Sequence, residues 1–301
     1  MTTIVDNADF KIQRTPAGGH RLSLLPRIHV EPGSRADWEL LSELHYKAAN
    51  LGIGEHYWRC VLDGQTIGVG VMTVPKMLSR GRNKVMPHMR PNQGGGRDTK
   101  LMNTYRAKWM NRTTCTNSRL VLDTMFRGAG IAYRMQNLMM RMTGCRQIEF
   151  QSSMSKFNPF ARRAGVRFTP PERAASYKKG VEFFRRWFDA QPSDFTEIMR
   201  ELDSMPAAVR EKCIKEMRER YYAWSSMEKS GDNRMNGTKR VDGMAVPYLV
   251  KSLQQLTLAS PLYGIYVNPD YERELPERIP LLAFDQQPID QPLVLDFTNL
   301  K

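Results

Sequence analysis

Hydrophobic and polar positions alternate between strand-like and helix-like spacing over the first half of the chain. Arg27-Ile28-His29-Val30 reads as a short strand, Pro32-Gly33 turns the chain, and Ser34-Arg35-Ala36-Asp37 gives a capping-box start. The helix that follows is expected to reach about Ala49, because Trp38, Leu41, Leu44 and Ala48 recur at three- and four-residue steps. Trp58 to Leu62 and Thr66 to Val74 predict a hairpin about Asp63-Gly64, a dipeptide that accepts the positive φ values of a tight turn. Gly68 and Gly70 leave room for a close approach to the second strand.

Pro75 to Asn111 is basic, interrupted by Gly94-Gly95-Gly96, and has too little apolar periodicity for a core element, so it reads as a mobile insertion. Strand character returns from Thr113 to Leu122. A helix from roughly Gly130 to Met142 carries Ile131, Met135, Leu138 and Met142 on one face and stops at Gly144. Gln147 to Gln151 is a short alternating strand, and Asn158-Pro159-Phe160 opens a brief helix ending at Gly165. Beyond Pro170-Pro171 the pattern becomes helical: Tyr177 to Asp189, Asp194 to Met205, Ala207 to Met227 and Pro247 to Leu258. The end of the chain reads as proline-rich and irregular, and no fixed-period repeat is visible.

With 301 residues and 41% apolar composition the chain can bury a full core. Four cysteines, none in a C-x-x-C pair, signal neither a zinc site nor a disulfide framework, so reduced thiols and a cytoplasmic home are expected. No stretch has the length and apolarity needed to cross a bilayer. Charge changes the picture more. The net charge is +14, and from Lys76 to Arg134 thirteen basic residues face only Asp98 and Asp123. From Asn268 to Lys301 seven acidic residues outweigh Arg273, Arg278 and Lys301. That asymmetry suggests a polyanionic partner, with a solvated basic face or the neutralisation of cofactor phosphates as the alternative.

A strand ending at Leu122, the turn Arg127-Gly128-Ala129-Gly130 and a helix beginning within it form a device for holding phosphate. Successive main-chain N–H groups and the helix dipole favour an anion there, and glycine at 128 and 130 removes side chains that would keep it away. A plain helix-start turn is the alternative.

Phe126-Arg127-Gly128-Ala129-Gly130-Ile131-Ala132 resembles the Arg/Gln-x-x-Gly-x-Gly/Ala signature of the GNAT N-acyltransferases, and the order of elements from about Ile28 to Phe168 agrees. The resemblance implies a mixed α/β (α+β) fold with a mostly antiparallel central sheet, splayed strands and an added C-terminal helical region. Residues 1–27 would be an extension, 28–170 the acyl-CoA-binding domain with a basic insertion at 75–111, and 171–301 a helical and irregular extension packed on it. It further implies acetyl-CoA or another acyl-CoA as cofactor. Pantetheine would lie between the two parting strands against Leu122, Asp123, Thr124 and Met125, and the pyrophosphate would sit on Arg127, Gly128, Ala129, Gly130, Ile131 and Ala132. The pair His45-Tyr46, and Asn158-Pro159-Phe160 followed by Ala164-Gly165, are similar to the Mom-like branch of phage DNA-modification proteins. That branch implies transfer to the exocyclic N6 of adenine in double-stranded DNA, with the base flipped out, in a host-cell cytoplasm; a GNAT enzyme acting on a protein or small-molecule amine is the alternative.

Tyr46 is then a candidate to donate a proton to a leaving thiolate or to orient the amine, and His45 a candidate base near neutral pH. Arg119 is placed to face the reaction centre or a phosphate, and Glu149 is a second candidate base. Asn158 either caps its helix or bonds a ligand. Their plain alternatives are packing on the hairpin for Tyr46, a satisfied structural role at a helix end for His45, a cross-strand ion pair for Arg119 and an exposed salt bridge for Glu149. Arg90, Arg97, Lys100, Tyr105, Arg106, Lys108 and Trp109 mix cations with aromatics as a DNA clamp or stacking platform would, a basic loop being the alternative.

Overall fold

The protein is described by a computed structural model over residues 2–6, 10–14, 23–45, 51–90, 99–152, 154–156, 158–170, 173–225, 228, 237, 239–258, 261–298 and 300. Its chain divides into two units, Met1–Pro170 with Leu262–Lys301, and Pro171–Pro261. In the first unit β1 (Thr2–Asp6) and β2 (Phe10–Arg14) pair as a small antiparallel ribbon. The main sheet has eight strands: β3 (Ile28–Pro32), β4 (His56–Leu62), β5 (Gln65–Thr73), β6 (Thr114–Leu122), β7 (Gln147–Ser152), β8 (Arg167–Phe168), β9 (Leu262–Val267) and β10 (Ile279–Pro280). They lie in the order β10-β3-β4-β5-β6-β7-β9-β8, and every pairing is antiparallel except β6 with β7. The expected mixed fold with a mostly antiparallel sheet is present.

Local chemistry explains most elements. At the β4–β5 turn Asp63 and Gly64 take φ of 48° and 84°, the conformation the dipeptide favours. Ser34 and Asp37 form a reciprocal capping box that starts α1 (Arg35–Leu41). That helix is shorter than its apolar stripe predicts. Trp38 and Leu41 are buried against Val69, Val71 and Val121, but Leu44 is 40% exposed, and the chain passes through a 3-10 turn, Ser42–Leu44, into an extended His45. Without a buried face, continued helix gains little from packing. Residues 46–50, including Ala48, lie outside the described residues.

The opposite sheet face carries α4 (Ile131–Met142), whose Ile131, Met135, Leu138 and Met139 are fully buried. Each such side chain contributes about 2 kcal/mol by burial. The room left by Gly68 and Gly70 is filled from within: an added Cβ would lie 3.2 Å from the Met135 sulfur at Gly68 and 2.1 Å from the Met139 sulfur at Gly70.

The stretch expected to be a mobile insertion contains two helices, α2 (Arg80–Val85) and α3 (Thr99–Thr113); residues 91–98, with the glycine run, lie outside the described residues. Helix α3 escapes an amphipathic pattern search because, of its side chains described, only Met110 and Thr113 are buried. It is nevertheless free of Gly and Pro and rich in Lys, Leu, Met and Arg, which favour helix intrinsically.

A short helix α5 (Phe160–Arg163) follows β7, and Gly165 leaves it at φ 95°. The sequence reading places 171–301 in one extension, whereas residues 262–301 return to the first unit, where β9 fits between β7 and β8. The segment Leu-Tyr-Gly-Ile-Tyr-Val has the branched and aromatic composition of a strand, which the surrounding prolines obscure. The second unit consists of α6 (Tyr177–Trp187), α7 (Phe195–Ser204), α8 (Ala207–Trp224) and α9 (Val246–Leu258) around Phe183, Phe184, Ile198, Leu202, Met217, Leu249 and Leu253. Among the described residues no helix is long and apolar enough to cross a membrane.

Candidate active site at the parting strands

The parallel pairing of β6 with β7 covers only Thr114↔Gln147 to Asn117↔Phe150. Beyond that point β6 continues from Arg119 to Leu122 paired only to β5, while Gln151 and Ser152 pair only to β9. The two strands therefore part, as the resemblance implied. The parting coincides with a bulge: β5 Val71 faces Arg119 and Met72 faces Asn117, so Ser118 is the extra residue. A bulge bends its strand and increases the local twist, which carries the end of β6 away from β7.

At the end of β6 the chain turns toward α4. The Asp123 N–H donates to the Ile67 carbonyl at 2.9 Å, and the Asp123 carboxylate accepts from the Met125 N–H at 2.9 Å, fixing a 3-10 turn at Thr124–Phe126. Gly128 and Gly130 then take φ of 86° and 82°, the left-handed region open to glycine. Helix α4 begins with neither a side-chain cap nor an acidic residue in its first turn. Its leading N–H groups thus lack intrahelical acceptors at the positive end of the dipole. A Cβ at Gly128 would meet nothing within 4 Å. The Gly130 carbonyl, by contrast, is held at 2.9 Å by Arg134 Nη1, and the same guanidinium is paired with Asp285.

Arg127 fastens the glycine turn to two carbonyls. Its Nε donates to the Leu122 carbonyl at 3.2 Å and its Nη2 to the Leu44 carbonyl at 3.4 Å. The glycine turn is thereby tied to the residue before His45, whose ring lies 6.0 Å from that of Trp38 at a tilt of 60°. Tyr46 lies outside the described residues. Thr124 and Met125 are exposed beside the turn, while Ala129 and Ala132 are half-buried and Ile131 is buried.

Arg119, next to the bulge, donates through Nη1 to the Ser118 carbonyl at 2.8 Å. Glu149 is not the exposed group expected of a base or surface ion pair. It is 3% exposed, Arg82 Nε and Nη2 donate to its two oxygens at 2.5 and 2.7 Å, and the Tyr263 hydroxyl donates to Oε1 at 2.6 Å. Burial, then the Glu149 charge, push the Tyr263 hydroxyl far above its ordinary value, which keeps it a donor. Glu149 is a structural anchor with both oxygens already engaged. Asn158 accepts from the Phe160 N–H at 3.1 Å in an Asx-turn that leads into α5, whose N-cap position is Pro159 and has no side-chain cap.

Of the basic and aromatic candidates, Lys100, Tyr105, Arg106, Lys108 and Trp109 share the helix α3. Lys100, Tyr105 and Lys108 are exposed, Arg106 and Trp109 half-buried, and Arg90 is exposed after the turn Pro87–Met89; Arg97 lies outside the described residues. Sequence reasoning missed Arg82 and Asn117. Arg82 hid among many arginines, and nothing but the strand register sets Asn117 at the parting point.

No protein-family model and no curated protein matches the chain. It is similar to a solved GNAT family acetyltransferase from Elizabethkingia anophelis with acetyl-CoA bound, at 10% identity and TM-score 0.32, over 50% of this chain and 84% of that one. A mutant agmatine N-acetyltransferase in its apo form is similar at 13% identity and TM-score 0.23, over 48% and 76%. Likeness at these scores carries no argument about activity.

Proposed function

We propose that the chain is an acyl-CoA-dependent N-acyltransferase of the GNAT type, acting on the N6 amine of adenine in DNA as its resemblance to the Mom-like branch implies. The observation that supports it best is the opening between β6 and β7 beside an uncapped helix N-terminus. An acyl-CoA fits the residues present. The turn from Gly128 to Ala132 offers main-chain N–H groups to a diphosphate, with no side chain in the way at Gly128. The edge of β6 from Ser118 to Leu122, left without β7, offers main-chain groups to the amides of pantetheine as it would to an added strand.

When bound, the cofactor supplies an activated acyl group. The chain's part is to hold that group at the head of the opening and to manage the amine proton. His45 and Tyr46 are the candidates for the proton, and Arg127, bonded to the Leu44 carbonyl, keeps the residue before His45 next to the glycine turn. An exocyclic base amine is a weak nucleophile, so positioning carries much of the burden. The cationic and aromatic side chains of α3 suit a nucleic-acid backbone and an unstacked base.

Titration with acetyl-CoA by calorimetry tests the cofactor, with Arg127→Glu expected to weaken binding more than tenfold because it breaks the tie to Leu44 and adds an anion beside the diphosphate. DNA from cells expressing the chain, digested to nucleosides, tests the acceptor by mass spectrometry. A modified adenosine absent from the Tyr46→Phe variant supports the proposal. Acetyl-CoA binding without modified DNA would direct the search to a protein or small-molecule amine.

A further inference from the structure

Asn117 is the last β6 residue paired to β7, and it shares with Cys115 and Phe150 the sheet face that carries α4. It is 6% exposed, and its Nδ2 has no hydrogen-bond partner. An amide buried in this way is costly in the free protein, since it has given up water and gained nothing. Ser155, on the turn after β7, is 3% exposed and its hydroxyl is likewise without a partner. An unmet polar group at the point where two strands part is what remains when the missing partner belongs to a ligand.

Length decides which part of the ligand reaches Asn117. From Leu122 to Asn117 the strand covers five residue steps, about 17 Å. The pantetheine arm between diphosphate and sulfur has about a dozen bonds, the reach of an extended peptide of roughly four residues. Measured from Leu122, whose carbonyl Arg127 ties to the glycine turn, an arm of about 14 Å brings the thioester to the bulge at Ser118, one step short of Asn117, whose side chain spans the remainder. We propose that Asn117 is a ligand-binding residue whose Nδ2 donates a hydrogen bond to the acyl carbonyl oxygen of the thioester. The inference rests on the acyl-CoA reading given above.

The test is Asn117→Leu, a substitution of similar volume that suits the apolar neighbours Met72 and Phe150. Thermal unfolding without ligand is combined with calorimetric titration of acetyl-CoA and of free CoA, which lacks the acyl carbonyl. The expected result is an unfolding midpoint equal to or above that of the wild type, a five- to tenfold loss of affinity for acetyl-CoA and no loss for free CoA. Equal losses for both ligands, or no loss for either, would overturn the role of Asn117 while leaving the cofactor assignment in place. If the wild type itself bound neither ligand, the cofactor assignment and this inference would fall together. Should the variant not fold, Asn117→Ser takes its place, with the same contrast between the two ligands deciding the outcome.

Discussion

Arg82 and Glu149 meet as a buried, two-pronged ion pair that joins α2 to the middle of β7, with the Tyr263 hydroxyl of β9 completing the carboxylate's partners. The geometry is close for a reason. Ring atoms of Tyr263 would lie 2.1 Å from a Cβ at Gly81, so only glycine lets the helix settle against that ring. A segment that looks unstructured in the sequence is thus fastened to the sheet by one charge pair and one glycine.

Glu149→Gln is therefore expected to destabilise the protein by about 3–5 kcal/mol, because it strands a buried guanidinium without its counter-charge. The double variant Arg82→Met/Glu149→Leu should recover most of that loss, since replacing a buried pair by apolar side chains is often close to neutral. Urea unfolding midpoints measure both. A Glu149→Gln midpoint equal to that of the wild type would contradict the anchoring role.

The two glycines of the turn before α4 should separate stability from binding. Both occupy left-handed backbone, so alanine costs about 1–2 kcal/mol at either. At Gly130 the new Cβ would also lie 2.8 Å from Arg134 Nη1 and disturb its grip on the Gly130 carbonyl. At Gly128 it would project into open space, where the proposed diphosphate approaches. Thermal melts should place Gly130→Ala below Gly128→Ala. Calorimetry should nevertheless find acetyl-CoA affinity reduced at least as much by Gly128→Ala; unchanged affinity in that variant would move the diphosphate elsewhere.

Cysteine chemistry supplies a prediction in pH. The neighbouring Cys115 thiol, and with it the Thr143 hydroxyl, draw the Cys145 thiol down to about 7 against the effect of partial burial. Cys115 is itself raised by Cys145 and by burial, while burial pushes Cys60 up and Cys213 to about 12. The thiolate is the reactive form. Iodoacetamide should label Cys145 first, at a rate that climbs as pH rises through about 7 and then levels off. Cys115→Ala should shift that rise toward the ordinary thiol range. A pH profile identical in the two proteins would show that Cys115 is not the cause.

Much of the first unit was legible because its signals are local. Asp63-Gly64 dictates its turn, Ser34 and Asp37 dictate a helix start, and the stripe on α4 dictates a buried face. The glycine turn was legible for the same reason. What escaped depends on partners distant in sequence. Glu149 looked like a free carboxylate until Arg82, 67 residues earlier, and Tyr263, 114 residues later, closed on it. Asn117 acquires its place only from the strand register, and Leu44 fell off its helix because no surface arrived to cover it.

The position of β9 between β7 and β8 also bears on how the chain matures as it leaves the ribosome. When Arg167 and Phe168 have emerged, β8 has no neighbour to join, and one flank of β7 stays bare until Leu262–Val267 follow, after the whole helical unit. For that interval the nascent sheet presents an unpaired rim of the kind that invites aggregation. Translation of residues 262–301 is the step that makes the sheet complete.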